Sequence, residues 1–204
     1  VGLIFYGLYA YRVAQIRQTE QLRFQIAGDL HDEIGGNLGS IILRTQMLER
    51  RETLSERAEK DLKTISSISN ETAQAMRDIV WLINPDNDKL DNLALKLRNL
   101  SRQLLEGSEI KFITDDKVRD WSFSPDQRKQ IILFAKEALN NIRKHANATQ
   151  ISIKVQIVKN RFNLTISDNG RGFDTNSVQS DGMGMSSMQK RAHSLGGETT
   201  ISSS

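Results

Sequence analysis

Apolar residues recur every three or four positions along two long stretches in the first half of the chain. In the first stretch they stand at Leu22, Ile26, Leu30, Ile34, Leu38, Ile41, Thr45 and Leu48. In the second they stand at Leu62, Ile65, Ile68 or Ser69, Thr72, Met76, Ile79 and Ile83. This spacing predicts two amphipathic helices, joined by polar residues around 51–55 and ended by Pro85. Because the two helices cannot bury both stripes alone, we expect pairing with a second copy in a four-helix bundle.

The second half of the chain mixes shorter helical and strand patterns. We expect these elements over 91–106 (helix), 110–114 (strand), 125–145 (helix), 149–157 and 161–167 (strands), 184–195 (helix) and a final stub of strand. Helices followed by such a mixture predict an α+β protein. The predicted organisation is a helical hairpin over 12–84, a hinge over 85–90 and an α/β domain over 91–204.

Residues 1–11 are apolar and aromatic and are followed by Arg12 and Arg17. They are too few to cross a bilayer, which takes about 20 residues. We interpret them as the truncated end of a transmembrane helix, with aromatic and basic residues at its cytoplasmic edge. A buried helix start or an interfacial segment is the alternative.

Charge and cysteine content narrow the class of protein only slightly. The chain has 28 Lys and Arg against 25 Asp and Glu, a net charge of +3 that is too balanced to argue for direct nucleic-acid binding. The absence of cysteine is compatible with a reducing compartment.

One short stretch, Asp168 to Phe173, combines a carboxylate with two glycines directly after a predicted strand. A fixed carboxylate at Asp168 is the acceptor that a purine amino group needs. Gly170 and Gly172 permit the close backbone approach that phosphates need. An ordinary Asx turn after a strand is the alternative.

Two further segments flank this stretch. Upstream, Glu137 and Asn141 are four residues apart and share one helix face, where their oxygens suit Mg²⁺. A solvated helix face is the alternative for Glu137. Downstream, Gly182 and Gly184 lie in a glycine loop ahead of the last predicted helix.

Together the three segments resemble the N, G1 and G2 boxes of the Bergerat-type ATPase fold, an α/β sandwich shared by histidine kinases, Hsp90 chaperones, type II topoisomerases and MutL-type proteins. The chain has no P-loop motif and lacks the glycine signature of eukaryotic protein kinases. The resemblance implies that ATP and Mg²⁺ bind here, with Asn141 and Glu137 near the metal. It further suggests that Lys144 neutralises phosphate charge, unless it only caps its helix.

A histidine within the first helix indicates which branch of that fold is present. His31 is followed by Asp32 and, shortly after, by Gly35 and Gly36, each of which costs about 1 kcal/mol relative to Ala inside a helix. Asp32 could accept a hydrogen bond from one ring N–H and leave the other nitrogen free to attack phosphorus. A solvated histidine beside a plain kink is the alternative.

The segment Asp29 to Gly35 resembles the phospho-acceptor box of bacterial sensor histidine kinases of the nitrate-sensor and desaturase-thermosensor type. That resemblance implies autophosphorylation of His31, transfer to an aspartate in the receiver domain of a response regulator, a homodimer, and the cytoplasmic portion of an inner-membrane protein. The alternative is a Bergerat-fold ATPase or pseudokinase dimer that acts as a nucleotide-gated conformational switch.

Two positions depart from the pattern of that family. Many relatives carry Gln where this chain has Gly36, and that Gln is thought to hold the water that dephosphorylates the regulator. Ser187 stands where relatives often have glycine. The first departure predicts weak phosphatase activity. The sensed stimulus, the regulator served and transfer within or between protomers stay open.

Overall fold

A computed structural model describes residues 2–50, 54–115, 121–172 and 183–203. The chain divides into two compact units, one ending at Asp86 and the other beginning at Asn87. Asp181 and Gly182 of the predicted glycine loop lie outside the described residues.

The first unit is entirely helical in its described part. Its elements are α1 (Gly2–Asp29), a π-helical turn (Leu30–Ile34), α2 (Gly35–Glu49) and α3 (Glu56–Ile83). The Ser55 hydroxyl caps α3 by accepting a hydrogen bond from the Ala58 N–H at 3.3 Å. Arg23 also ties the hairpin together, because its Nε donates to the carbonyl oxygen of Ile83 at 2.9 Å.

Apart from Met76, the residues buried between these helices are small or polar. The buried positions are Ala27, Thr45, Ser69, Ala73 and Met76. Ile68 is 58% exposed whereas Ser69 is 6% exposed, so Ser69 holds the inner position that the sequence pattern left open. A single hairpin therefore leaves much of its apolar surface in water.

The second unit joins helices to one three-stranded sheet. Its elements are a 3-10 turn (Pro85–Asp88, which enters from the first unit), α4 (Leu90–Leu104), β1 (Glu109–Thr114), α5 (Pro125–Asn141), a π-helical turn (Ile142–Ala146), β2 (Gln150–Val158), β3 (Arg161–Asp168) and α6 (Met183–Ser194). The strands lie in the order β1-β2-β3, with β1 parallel and β3 antiparallel to β2. The parallel pair requires a crossover, which α5 supplies.

One face of the sheet carries the core. Along β2, buried and more exposed side chains alternate, as expected for a sheet covered on one side. Leu105, Leu139, Ile151 and Ile153 form a buried cluster between helices and sheet. The core thus fixes the carboxyl end of α5 against β2.

The β2–β3 hairpin turns through Lys159 and Asn160, both at positive φ (49° and 61°). Two central residues of this kind are typical of a type I′ turn, whose twist matches that of the strands. The turn sets the register that pairs Ile151 with Asp168. Asp168 is thereby placed at the sheet edge beside the start of β2.

The start of α5 is defined by a capping box. The Ser124 hydroxyl accepts from the Gln127 N–H, the Gln127 side chain accepts from the Ser124 N–H, and Pro125 occupies the first helical position.

One expectation differs from the structure, at the carboxyl end of the chain. Residues 197–203 form no strand, because no described segment pairs with their backbone. Residues 2–11 are the exposed beginning of α1. Over the described ranges, no helix combines the length and apolar character needed to cross a membrane.

Candidate functional site

His31 lies within the π-helical turn that separates α1 from α2. The Gly35 N–H bonds to the carbonyl oxygen of Leu30, five residues back, which is the π-helical pattern. Such turns are frequent at functional sites. The side chain of His31 is 70% exposed, so its ring is accessible.

Asp32 faces one nitrogen of that ring. His31 Nδ1 lies 3.3 Å from Asp32 Oδ1, and the Asp32 side chain is 88% exposed. A proton on Nδ1 is favoured by this carboxylate, which leaves the Nε2 lone pair available. The pair has the arrangement of a nucleophile and an orienting base.

The glycines beside this turn differ in their surroundings. A Cβ on Gly35 would lie 3.4 Å from Met76 Cε, which is ordinary van der Waals contact. A Cβ on Gly36 would meet nothing within 4 Å. Gly36 is therefore open to a larger side chain.

In the second unit, Asp168 ends β3 and starts a tight turn. The Gly170 N–H donates to Asp168 Oδ1 at 2.9 Å, which is an Asx turn. The carboxylate is exposed and has a second oxygen. That oxygen can accept a hydrogen bond from a ligand while the first holds the turn.

Gly170 and Gly172 are required for different reasons. A Cβ on Gly170 would overlap the carbonyl oxygen of Ala146 and lie 2.6 Å from Ala146 Cβ. Gly172 adopts a φ of 64°, a left-handed conformation that favours glycine. The turn after β3 therefore packs its bare backbone directly against the end of the second π-helical turn.

Asn169 and Arg171 are positioning residues that sequence reasoning missed. Asn169 Oδ1 accepts from the N–H groups of Thr149 (3.0 Å) and Gln150 (2.9 Å). Arg171 donates through Nε to the carbonyl oxygen of His145 at 2.8 Å and through its backbone N–H to that of Ala146 at 2.9 Å. Both residues sit inside the motif itself, but their bonds join positions 19 to 26 residues apart in the sequence, which no local pattern reveals.

Glu137 and Asn141 are half-buried on α5. Gly184, at the start of α6, approaches Glu137 so closely that a Cβ on Gly184 would overlap Glu137 Oε1 and lie 3.3 Å from Cδ. The Arg191 guanidinium anchors α6 to α5 by donating to Gln130 Oε1 at 3.0 Å.

The oxygens of Glu137 and Asn141 are of the type that Mg²⁺ accepts, and Mg²⁺ commonly uses only one or two protein ligands together with phosphates and water. Among the described residues no cluster of three or more acidic or histidine side chains could hold a metal. A metal held jointly with a nucleotide is thus the arrangement that fits this donor set.

Lys144 and His145 lie in the second π-helical turn, and both are exposed. The turn ends at Asn147, whose φ of 53° is a left-handed cap. Asp168, Gly170 and Gly172 gather beside this turn, whereas His31 and Asp32 belong to the first unit.

Comparison with known families matches both units. Residues 23–88 match a family model described as histidine kinase. Residues 126–204 match the family of histidine kinase-, DNA gyrase B- and HSP90-like ATPases.

Two curated relatives illustrate the similarity. The signal transduction histidine-protein kinase/phosphatase UhpB of Salmonella typhimurium is 30% identical over 190 residues, which is 92% of this chain and 37% of the relative. The nitrate/nitrite sensor protein NarX of Escherichia coli K12 is 28% identical over 185 residues, 88% of this chain and 30% of the relative. The chain thus spans about a third of the length of these two relatives.

A solved structure shows the same fold. The blue-light activated histidine kinase of Erythrobacter litoralis EL346 superposes with a TM-score of 0.53 at 14% identity, covering 84% of this chain and 56% of that one. The predicted α+β architecture, a helical hairpin followed by an α/β ATPase domain, is confirmed, as is the resemblance to nitrate-sensor and desaturase-thermosensor kinases.

Proposed function

This chain belongs to the histidine kinase family, and we propose that it phosphorylates its own His31 from Mg-ATP and then passes the phosphoryl group to an aspartate of a response regulator receiver domain. The observation that carries the proposal is the exposed His31 ring with Asp32 at 3.3 Å from Nδ1. An exposed, oriented imidazole in a matched phospho-acceptor segment is what this transfer needs.

The acceptor chemistry follows from that pair. His31 Nε2 attacks the γ-phosphorus of ATP, an N–P bond forms, the bond to the β–γ bridging oxygen breaks, and ADP leaves. Asp32 holds the proton on Nδ1 and stabilises the positive charge that develops on the ring. Phosphoryl transfer requires mainly such positioning together with neutralised charge.

The nucleotide contacts are assigned to the second unit. We assign Asp168 as the hydrogen-bond acceptor of the adenine amino group. Gly170 and Gly172 are assigned to the close approach between the backbone and the phosphates. Asn141 and Glu137 would hold Mg²⁺, which supplies charge neutralisation at the phosphates when bound. Lys144 is exposed at the end of the same helix and can add positive charge. Gly182 and Gly184 are assigned to the glycine segment beside the nucleotide, with Gly184 at the start of α6.

A homodimer is supported by apolar surface left exposed on the hairpin. Ile34, Ile41 and Leu48 are spaced by seven residues and are each about two-fifths exposed (41%, 42% and 41%). On α3, Ile65 and Ile79 are 45% and 52% exposed. Heptad-spaced residues of this kind pack between helices of a bundle. We therefore propose that two hairpins form a four-helix bundle.

Membrane attachment is supported by the beginning of α1, where Phe5, Tyr6, Tyr9 and Tyr11 are 63–71% exposed. Aromatic rings followed by Arg12 are typical of a membrane–water interface. We propose that the chain is the cytoplasmic portion of a bacterial inner-membrane sensor.

Phosphatase activity is a separate matter, and the name of the relative UhpB includes it. Because Gly36 carries no side-chain amide, we propose that this activity is weak here.

The test is incubation with γ-labelled ATP and Mg²⁺. The chain has three histidines, so His31→Gln, His145→Gln and His193→Gln form a complete set. We expect an acid-labile, alkali-stable label that only His31→Gln abolishes, with nucleotide binding retained. A label that persists in His31→Gln contradicts the acceptor. Nucleotide binding without any label in the native protein favours the nucleotide-gated switch.

A further inference from the structure

Residues 88–90, which we call the strap, lead from the 3-10 turn into α4 and are hydrogen-bonded to the ATPase unit. The Leu90 N–H donates to the carbonyl oxygen of Trp121, and the Phe123 N–H donates to that of Asp88, both at 2.8 Å. Lys89 and Ser122 form the antiparallel bridge between these bonds. Residues 88–90 therefore behave as part of the second unit.

An ion pair fastens this strap. Arg128 is completely buried in the first part of α5, and its guanidinium pairs with the carboxylate of Asp88, which is 29% exposed. A buried guanidinium is strongly unfavourable unless a carboxylate compensates it. Removing Asp88 would leave that charge in the interior, so the pair holds the strap against α5.

Apolar residues on both sides of the antiparallel bridge are buried. Leu90 is fully buried and Phe123 is 9% exposed. The Phe123 ring lies 6.3 Å from that of Trp121 and meets the Phe162 ring edge-on at 5.1 Å, both measured between centroids. This contact connects residues 121–123, which pair with the strap, to β3, the strand that ends at Asp168.

We propose that the Asp88–Arg128 ion pair is a clamp that marks the end of the hinge, so that the hinge comprises residues 84–87. The clamp grips α5 near its amino end, and the same helix carries Glu137 and Asn141. Asp88 and Arg128 are therefore positioning residues, which set where the tether joins the nucleotide-binding helix. The catalytic part of this inference rests on the proposed function.

The expected catalytic effect can be bounded from tether length. Opening the strap would free residues 88–90, so the connection after Ile83 would lengthen from about four residues to about seven. For a flexible connection, effective concentration falls roughly as the −3/2 power of length. Labelling of His31 at saturating ATP should then slow by about twofold. The dissociation constant for nucleotide should not change, because the contacts at Asp168 are untouched.

Hydrogen exchange tests the clamp in the full chain. In Asp88→Ala, exchange of the Leu90 and Phe123 amides should accelerate by about tenfold or more, while β2 and β3 keep their protection. The matched control is Asp91→Ala, an exposed acid in the first turn of α4, which should leave both amides unchanged. Native exchange at Leu90 and Phe123 in Asp88→Ala would overturn the clamp.

A double variant covers the case in which the buried charge unfolds the unit. Asp88→Ala combined with Arg128→Met removes both charges and fills the same space. In this double variant, the amides of β2 and β3 should keep their native protection from exchange, whereas those of Leu90 and Phe123 should lose it. Equal loss of protection throughout β2 and β3 would make the pair a general core element and overturn the hinge role.

A labelling rate equal to that of the native protein, in a variant whose strap has opened, would overturn the positioning role. If the native protein does not label at all, the proposed function fails, whereas the exchange measurements still decide the clamp.

Discussion

Gly184 presses its backbone against the carboxylate of Glu137, so a methyl group on Gly184 would overlap Glu137 Oε1. The end of a flexible side chain can move aside, and the displaced group here is the candidate metal ligand. Gly184→Ala should therefore weaken Mg²⁺-dependent nucleotide binding and His31 labelling by about tenfold, while the thermal midpoint changes little.

The control is a double-mutant cycle measured by calorimetric titration of nucleotide with and without Mg²⁺. If Gly184→Ala acts through Glu137, it should add no further loss in a Glu137→Ala background. Additive losses in the cycle would mean that Gly184 acts on the nucleotide by another route.

Asp168→Asn should weaken the binding of ATP more than the binding of an analogue that lacks the purine amino group. Asn keeps an oxygen that accepts the Gly170 N–H, so the turn should survive. The other carboxylate oxygen is replaced by an NH₂ donor, which faces the amino donor of adenine. This costs about 1.5–3 kcal/mol of ATP binding, which raises the dissociation constant by on the order of tenfold or more. Titration calorimetry with both nucleotides measures the difference, and equal losses for the two would remove the assigned role.

Asn141→Asp tests the metal side of the same site. Adding a charge beside Glu137 should alter the Mg²⁺ dependence of nucleotide binding while affinity without Mg²⁺ changes less. Titrations over a range of Mg²⁺ concentrations provide the measurement. An unchanged Mg²⁺ dependence would count against Asn141 as a ligand.

A fragment spanning residues 12–84 should dimerise without the ATPase unit, because the exposed apolar stripes belong to the hairpin. In the full chain, Ile68→Lys should raise the dimer dissociation constant by at least about tenfold. A charge would be unfavourable there, because Ile68 is 58% exposed in the single hairpin and would be buried in the proposed bundle. Ser67→Lys, on an exposed neighbouring position, is the matched control. Light scattering that shows a stable monomer of the fragment at micromolar concentration would contradict the bundle.

Gly36→Gln should raise phosphatase activity toward a phosphorylated regulator while keeping most autokinase activity. The space around Gly36 is open, so the new amide can be accommodated one turn after Asp32. Gly39→Gln is the matched control, because Gly39 is also open and its replacement relieves the same helix penalty of about 0.5–1 kcal/mol. Brisk phosphatase activity of the native protein would show that another group holds the water.

The order of elements and the family were accessible from the sequence because each is a local property. Periodicity along the chain predicted α3 and the β2–β3 hairpin, whose strands end within one residue of the predicted bounds at 157 and 167. The order of the three motifs predicted the fold, because few other folds place glycines and carboxylates at this spacing.

Only the tertiary structure decided contacts between distant segments. Hydrophobic spacing allowed both Ile68 and Ser69 to face inward, and packing against the neighbouring helices chose Ser69. Arg128 would be expected on the surface from its charge alone, yet it is buried because Asp88, forty positions earlier, compensates it. The physical reason is the same in both cases. A repeating pattern encodes which side of an element avoids water, whereas a particular contact depends on the partner that three-dimensional packing brings to it.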